Sequence, residues 1–259
     1  MSQTVNSPPL SLAAAAGRTV VISQSMYFPW CGLLEQVLMA DVFVHYDDVQ
    51  FARGFFNRVQ VKTEQGVKWL SVPLSNHHRG QTIDECRIDN TTDWKKRHRE
   101  ILRNSYRSAP FCSEMLNVVD SVFSVDHQSL GSLSRASIRA LSLAFRIPEP
   151  EYYHSADLGI IGSSSQRLCD ITAFLGGTVY ITGHGALKYL SHAIFEDKGI
   201  EVRYMNYCIG PWGQHCGDFT PYVTALDALA YLGPNASSAL NSTTLNWREA
   251  LEQPDNLRQ

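Results

Sequence analysis

The chain has 259 residues, 44% hydrophobic and 18% charged, with a formal net charge of −3. That is ordinary globular usage, long enough to bury a sizeable core within one domain. The mild negative charge excludes a general attraction to nucleic acid or to an anionic membrane, while leaving room for a local phosphate-binding patch. Leu10 to Leu12 and Ala13 to Ala16 superficially resemble a secretory segment, but no basic residue precedes them and the apolar run is short. Residues 1–17 are therefore expected to be a flexible N-terminal extension of a cytoplasmic protein, residues 18–233 a single α/β domain, and residues 234–259 a tail or packing segment. In chain order, Val20 to Ser23 is a short β-branched run suited to a buried strand. Pro29 then favours a helix start, and apolar groups recur at helical spacing from Leu33 to Ala40. Val42 to Tyr46 returns as a strand ending in Asp47-Asp48, and strand, helix, strand predicts a parallel pair.

The next stretch changes character. Arg58 to Lys62 and Lys68 to Val72 flank Thr63-Glu64-Gln65-Gly66, a hairpin signal, and Ile83 to Ile88 predicts a further strand. Residues 92–145 read as three helices, the first capped by Thr92 or Asp93 and the last ended before Pro148. The α/β rhythm then resumes. A helix follows Gly162 and Ser163, a strand spans Thr178 to Thr182, and a helix carries Leu187 to Ile194. Glu201 to Tyr207 is a strand, and Phe219 to Tyr231 a final helix. The expected fold is α/β, a Rossmann-like, mainly parallel sheet with a small antiparallel addition and a helical insertion.

Open parallel sheets bind ligands beyond the carboxyl ends of their strands, above all where the strand order reverses. Gln24, Asp47-Asp48 and Gly183-His184-Gly185 all follow predicted strands. Asp47 and Asp48 cannot both face one site, because successive strand side chains point opposite ways. Each is a candidate catalytic carboxylate, and the alternative is a solvated turn. Glycines beside His184 permit close backbone approach, and the imidazole can exchange a proton near neutral pH; a structural turn is the competing reading. Ser163 and Arg167 can seat an anion at a helix start or simply cap it. Asn57 and Arg58 can reach over the sheet or anchor their loop, and Tyr27 and Trp30 can wall a pocket or pack the core. Lys95 to Arg99 is read as a solvated helical face, with a phosphate contact from Lys96 or Arg99 as the alternative.

Neither a Walker loop nor G-x-G-x-x-G occurs. Six cysteines include no C-x-x-C pair, and the one local group, Cys208, His215 and Cys216, is too loosely patterned for zinc. Reduced thiols are expected and no metal site is assigned. Cys31 has a place near a helix start but no specified basic partner.

Several longer stretches resemble the WbqC-like family found among bacterial polysaccharide and specialised-metabolite genes. Ser23-Gln24-Ser25-Met26-Tyr27-Phe28-Pro29-Trp30-Cys31-Gly32 matches that family's His-Gln-Pro-x-Tyr-Phe-Pro-Trp-x-Gly, with serine in place of histidine at 23. Further matches are Ala40 to Gln50, Asn57-Arg58, Trp69 to Pro73 and Thr182 to Leu190, so the likeness spans about residues 19–231. It implies a ligand site built from Gln24, Asp47, Asp48, Asn57, Arg58, Gly183 and Tyr189, and the leading reading of what that site does is a transferase. The expected reaction moves an acyl or aminoacyl group, from an activated or carrier-bound donor, onto an amino sugar or amine-bearing metabolite. Asp47 or Asp48 would orient or deprotonate the amine, and Arg58 with amides near Gly183 would stabilise negative charge. Alternatives are a nucleotide-dependent ligase or nucleotidyltransferase with Mg²⁺ at Asp47 or Asp48, and a non-catalytic ligand-binding or carrier-interaction protein. The expected partner is a small molecule, with homo-oligomerisation open and no membrane insertion.

Overall fold

A computed structural model describes residues 17–52, 54–215 and 217–252. Almost all of the expected N-terminal extension, and Cys216, lie outside those residues. The first half contains β1 (Thr19–Ser23), α1 (Cys31–Leu38), β2 (Val42–His45), β3 (Arg58–Thr63), β4 (Gly66–Ser71), β5 (Leu74–Ser75) and β6 (Arg87–Ile88). Three helices follow, α2 (Trp94–Ser105), α3 (Cys112–Phe123) and α4 (Leu130–Ala144). The remainder is β7 (Glu151–His154), α5 (Ser164–Phe174), β8 (Val179–Thr182), α6 (Ala193–Glu196), β9 (Glu201–Asn206), α7 (Ala225–Leu232), β10 (Thr243–Asn246) and α8 (Trp247–Glu252).

Six strands form the main sheet in the order β10-β9-β8-β1-β2-β7. All neighbours are parallel except β10, which runs antiparallel to β9. The chain thus builds outward from β1 through β2 to β7, returns to the other side of β1 with β8, and continues to β9 and β10. That is doubly wound, Rossmann-like topology, and the order reverses between β1 and β8. Side-chain alternation along β1 feeds two cores. Val21 packs with Phe43 and Ile181 beneath α1, α4 and α7, whereas Val20 and Ile22 pack with Val42, Val44 and Tyr180 beneath α5 and α6.

The hairpin β3–β4 turns at Glu64-Gln65 as its sequence signals, but it forms a separate two-stranded sheet. Ile83 to Ile88 is shorter as a strand than its apolar character suggests. Only Arg87–Ile88 pairs, with β5, while Ile83 and Cys86 fill the core from a turn. α2 is capped by Asp93, whose side chain accepts from the Lys96 amide, and α4 by Ser129.

Three segments differ from the sequence expectation. β7 lies in a stretch the pattern left without an element, where Pro148 and Pro150 precede only four residues. Instead of one helix over Leu187 to Ile194, His184–Lys188 forms a 3₁₀ turn and α6 starts at Ala193. The last helix begins at Ala225, where the Thr224 hydroxyl accepts from the Leu226 amide, because the preceding loop packs on Trp30 and β3. Residues 234–252 are not a bare tail. A 3₁₀ segment, Gly233–Ala239, leads into β10, and α8 follows.

Candidate active site at the strand reversal

A chamber of about 930 Å³ opens beyond the carboxyl ends of β1 and β8. Its floor comes from Ile22, Ser23 and Gln24 at the end of β1 and from Thr182 to Ala186 at the end of β8. Tyr27, Pro29 and Trp30 enter from the loop before α1, Gln36 from α1 itself, and Arg58 to Gln60 from β3. Phe55, Tyr46, Tyr180, Tyr189, Tyr207 and Tyr222 complete an aromatic-rich wall. A second chamber of about 500 Å³ adjoins it, lined by Asp48, Val49 and Gln50 after β2 and by Gly162, Ser163, Ser164 and Arg167 at the start of α5. Gln24, Tyr46, Leu168 and Tyr189 line both chambers and so form their shared wall.

Gln24 is held there by its neighbour. The Ser25 amide and hydroxyl both donate to Asp47, at 2.8 Å each, and the Ser25 hydroxyl also lies 2.9 Å from His45 Nδ1. Arg135 donates to Asp47 at 2.7 Å and to Asp84 at 2.6 Å. Asp47 therefore faces away from both chambers. This corrects its expected place among the catalytic groups, since strand alternation sends it into the body of the protein while Asp48 turns outward. Burial raises the Asp47 carboxyl above its ordinary value, against the lowering pull of Ser25 and Arg135. Burial also pushes His45 down to about 3, assisted by Arg135 and His154, so its ring is neutral.

Asp48 lines the smaller chamber but is not free. Both its oxygens accept from the Arg167 guanidinium, and Ser155 donates to it at 2.5 Å. Burial raises this carboxyl, but the bonds from Arg167 and Ser155 outweigh it and hold the group below the usual range. A depressed carboxylate is a poor proton acceptor, and Mg²⁺ at Asp48 would have to displace the guanidinium. Among the described residues no group of three His, Cys, Asp or Glu side chains could hold a metal. Arg167 also donates to the Ile160 carbonyl at 2.9 Å and sits 5.1 Å from the Tyr46 ring centre. Ser163 occupies the cap position of α5 without making a side-chain cap, and Ser164 has φ of 55°. Left-handed backbone at a residue other than glycine is strained, and here it stands at the wall of the smaller chamber.

His184 lines the larger chamber, and its Nε2 meets the Met205 carbonyl. A carbonyl can only accept, so Nε2 carries hydrogen, and in that tautomer the lone pair is on Nδ1. Gly183 and Gly185 also line this chamber. Gly183 has extended backbone, and an added Cβ would make ordinary contact with the Tyr207 hydroxyl at 3.4 Å and Gln36 at 3.5 Å. A Cβ on Gly185 would project into open space.

Asn57 lines neither chamber. Its amide donates to the Val72 carbonyl at 3.1 Å and ties the start of β3 to the end of β4, so the loop-anchoring alternative is what the structure places there. Tyr27 reaches the chamber while almost wholly buried, with its hydroxyl 3.0 Å from His98 Nδ1. Trp30 packs 4.9 Å from Tyr207 and 5.9 Å from Tyr222. Arg99 pairs with Asp120 through two bonds, at 2.6 and 2.8 Å, and Lys96 is exposed away from the cleft lining. Cys31 is buried and its thiol pushed far up by that burial and by Glu35, so no thiolate forms there.

The match to known proteins now has a place in the structure. The model of the WbqC-like protein family aligns with residues 24–239. The chain belongs to the WbqC-like protein family. Apart from Ile22 and Ser23, every lining residue of both chambers falls within that span. A WbqC-like chain is also similar to the uncharacterised protein Rv1507c of Mycobacterium tuberculosis, with 31% identity over 231 residues, 86% of this chain and 97% of that one. No solved structure matches. Among the described residues no helix is long and apolar enough to cross a membrane.

Several lining residues carry no site signal of their own in the sequence. Gln36, Tyr180, Tyr207 and Tyr222 come from the middle of a helix, the middle of a strand, a strand end and a loop. Tyr207 at the end of β9 was the one that strand-end reasoning could have found.

Proposed function

We propose that this protein transfers an acyl or aminoacyl group from an activated donor to an amine-bearing metabolite, with an amino sugar as the model acceptor. The observation that supports this is the pair of chambers joined at one wall, a layout that brings two substrates together at Gln24, Tyr46 and Tyr189. The acceptor occupies the larger chamber, where His184 Nδ1 serves as the base. The donor enters past Ser163, Arg167 and Asp48. As the amine nitrogen bonds to the acyl carbon, His184 takes its proton. The bond from that carbon to the leaving group, a thiolate for a thioester donor, then breaks, and the proton passes to the departing sulfur. The Gln24 side-chain amide supplies N–H donors for the oxyanion. Asp48 and Arg167 orient the donor's polar part instead of exchanging protons. The link to polysaccharide or specialised-metabolite biosynthesis rests on family membership.

The test is a matrix of amines against thioester and aminoacyl donors, read by product mass. An amide product is expected. His184→Asn should lower kcat by about 10²–10⁴-fold, the range of a lost general base. Donor binding without product from any pair, or full turnover by His184→Asn, contradicts the proposal.

A further inference from the structure

The larger chamber has a charge pattern that the group-transfer reading does not use. Among its described lining residues there is no carboxylate, and apart from His184 the one ionisable group with a charge at neutral pH is Arg58. Its Nε donates to the Gly54 carbonyl at 2.9 Å, and its guanidinium lies 4.3 Å from the Trp69 ring centre. Neither terminal nitrogen has a hydrogen-bond or ion-pair partner among the described residues. Arg167, in the smaller chamber, is by contrast neutralised by Asp48. Arg58 is thus a positioned, unneutralised fork on the wall of an aromatic cavity, and such a fork suits a planar or tetrahedral oxyanion.

The wall beside it is aromatic. Arg58 and Gln60 share one face of β3, about 7 Å apart by strand geometry. The Gln60 carbonyl accepts from the Thr224 amide at 2.9 Å, which brings the 222–224 loop and Trp30 alongside. Trp30 and Tyr222 lie 5.9 Å apart with their planes 34° from parallel, and Tyr222 is 47% exposed. A ring can stack on that surface while its anionic substituent reaches Arg58. A volume of about 930 Å³ is near the top of the range for small-molecule sites and leaves room for a ligand of nucleotide size.

We infer that the larger chamber binds a nucleoside diphosphate or its sugar conjugate, the base on Trp30 and Tyr222 and the phosphates on Arg58. This deepens the group-transfer reading, on which it rests for the acceptor's role, by giving the acceptor a nucleotide handle. The site needs neither Mg²⁺ nor the glycine-rich loop that the sequence lacks.

Calorimetric titration of the full chain with UDP, ADP, uridine and inorganic phosphate tests it. UDP or ADP is expected to bind about 10- to 100-fold more tightly than uridine, as charge-assisted hydrogen bonds imply, and inorganic phosphate far more weakly than either. Arg58→Ala should erase the advantage of UDP over uridine, and Arg58→Lys should restore only part of it. Tyr222→Ala should weaken uridine and UDP by similar factors. Equal affinity for uridine and UDP, no binding of either diphosphate at millimolar concentration, phosphate binding as tight as UDP, or an unchanged preference in Arg58→Ala would overturn it. Amide formation on a neutral amine by the native chain, together with equal affinity for uridine and UDP, would defeat the nucleotide site alone and leave group transfer standing.

Discussion

Asp47 and Asp48 are one peptide bond apart and serve opposite surroundings. Asp47 gathers Ser25, Arg135 and, through Arg135, Asp84 into a network that fixes the loop presenting Gln24. Removing it leaves the buried Ser25 amide and hydroxyl without that acceptor and the Arg135 guanidinium with Asp84 alone, so Asp47→Ala should cost about 2–4 kcal/mol in urea unfolding. A loss under about 1 kcal/mol would mean that the network does not hold the loop. Asp48→Ala, on the rim, should leave stability within about 1–2 kcal/mol and act on donor binding. The doublet was visible in the sequence, and strand alternation already forbade a shared role. Which of the two faces inward was not readable, because Arg135 is 88 positions away on α4. Buried histidines add a pH dependence. His45 is pushed down to about 3 and His98 to about 4, in both cases first by burial. Native rings therefore stay neutral while unfolded ones bind protons below about pH 6.5. Stability from these two groups is complete above that pH and is lost as pH falls toward 4 and then 3, by about 1.4 kcal/mol per pH unit per histidine. Unfolding midpoints should fall between pH 6.5 and 4.5, and His98→Gln should flatten the slope. A flat profile in the native chain would contradict it.

At the scale of elements, the edge of the sheet is clipped to α1 by a buried carboxylate. Glu35 accepts from the amides of Asn241 and Ser242, both at 2.9 Å, and from the Ser242 hydroxyl. Burial raises this carboxyl, with the bonds from Ser242 and Asn241 opposing it. Ser242→Ala should cost about 1–3 kcal/mol, and amide exchange in β10 should accelerate while β1 and β2 stay protected. Unchanged exchange in β10 would show that the clip does not hold the edge. This element was hidden in the sequence. Thr243–Asn246 is a short polar run that becomes a strand only because β9 offers it an edge. The same holds for β7, which pairs with β2 in register from Val42 opposite Glu151 to His45 opposite His154. By contrast β1, α1, β2, the β3–β4 turn and α2 carry local signals strong enough to be read directly, because their apolar period, caps and turn residues agree.

For the whole molecule, topology puts the cleft where it is. β1 and β8 are neighbours in the sheet but carry chains that leave in opposite directions, and the gap between their loops is what Gln24 and His184 share. Strand-end and helix-start reasoning named Gln24, Asp48, Gly183, His184, Gly185, Ser163 and Arg167, and the family resemblance added Tyr189. Both missed the aromatic wall of Tyr180, Tyr207 and Tyr222, because tyrosines inside strands and loops look like core until three-dimensional packing sets them around a void. The two-chamber arrangement makes a demand that one crystal structure can meet, that of the protein with the product of the proposed transfer. The account predicts that the product spans both chambers, its acceptor half against Trp30 and Tyr222, its transferred group toward Ser163 and Arg167, and the new bond at Gln24, Tyr46 and Tyr189. A product lying wholly in one chamber, or away from the β1–β8 reversal, would contradict it.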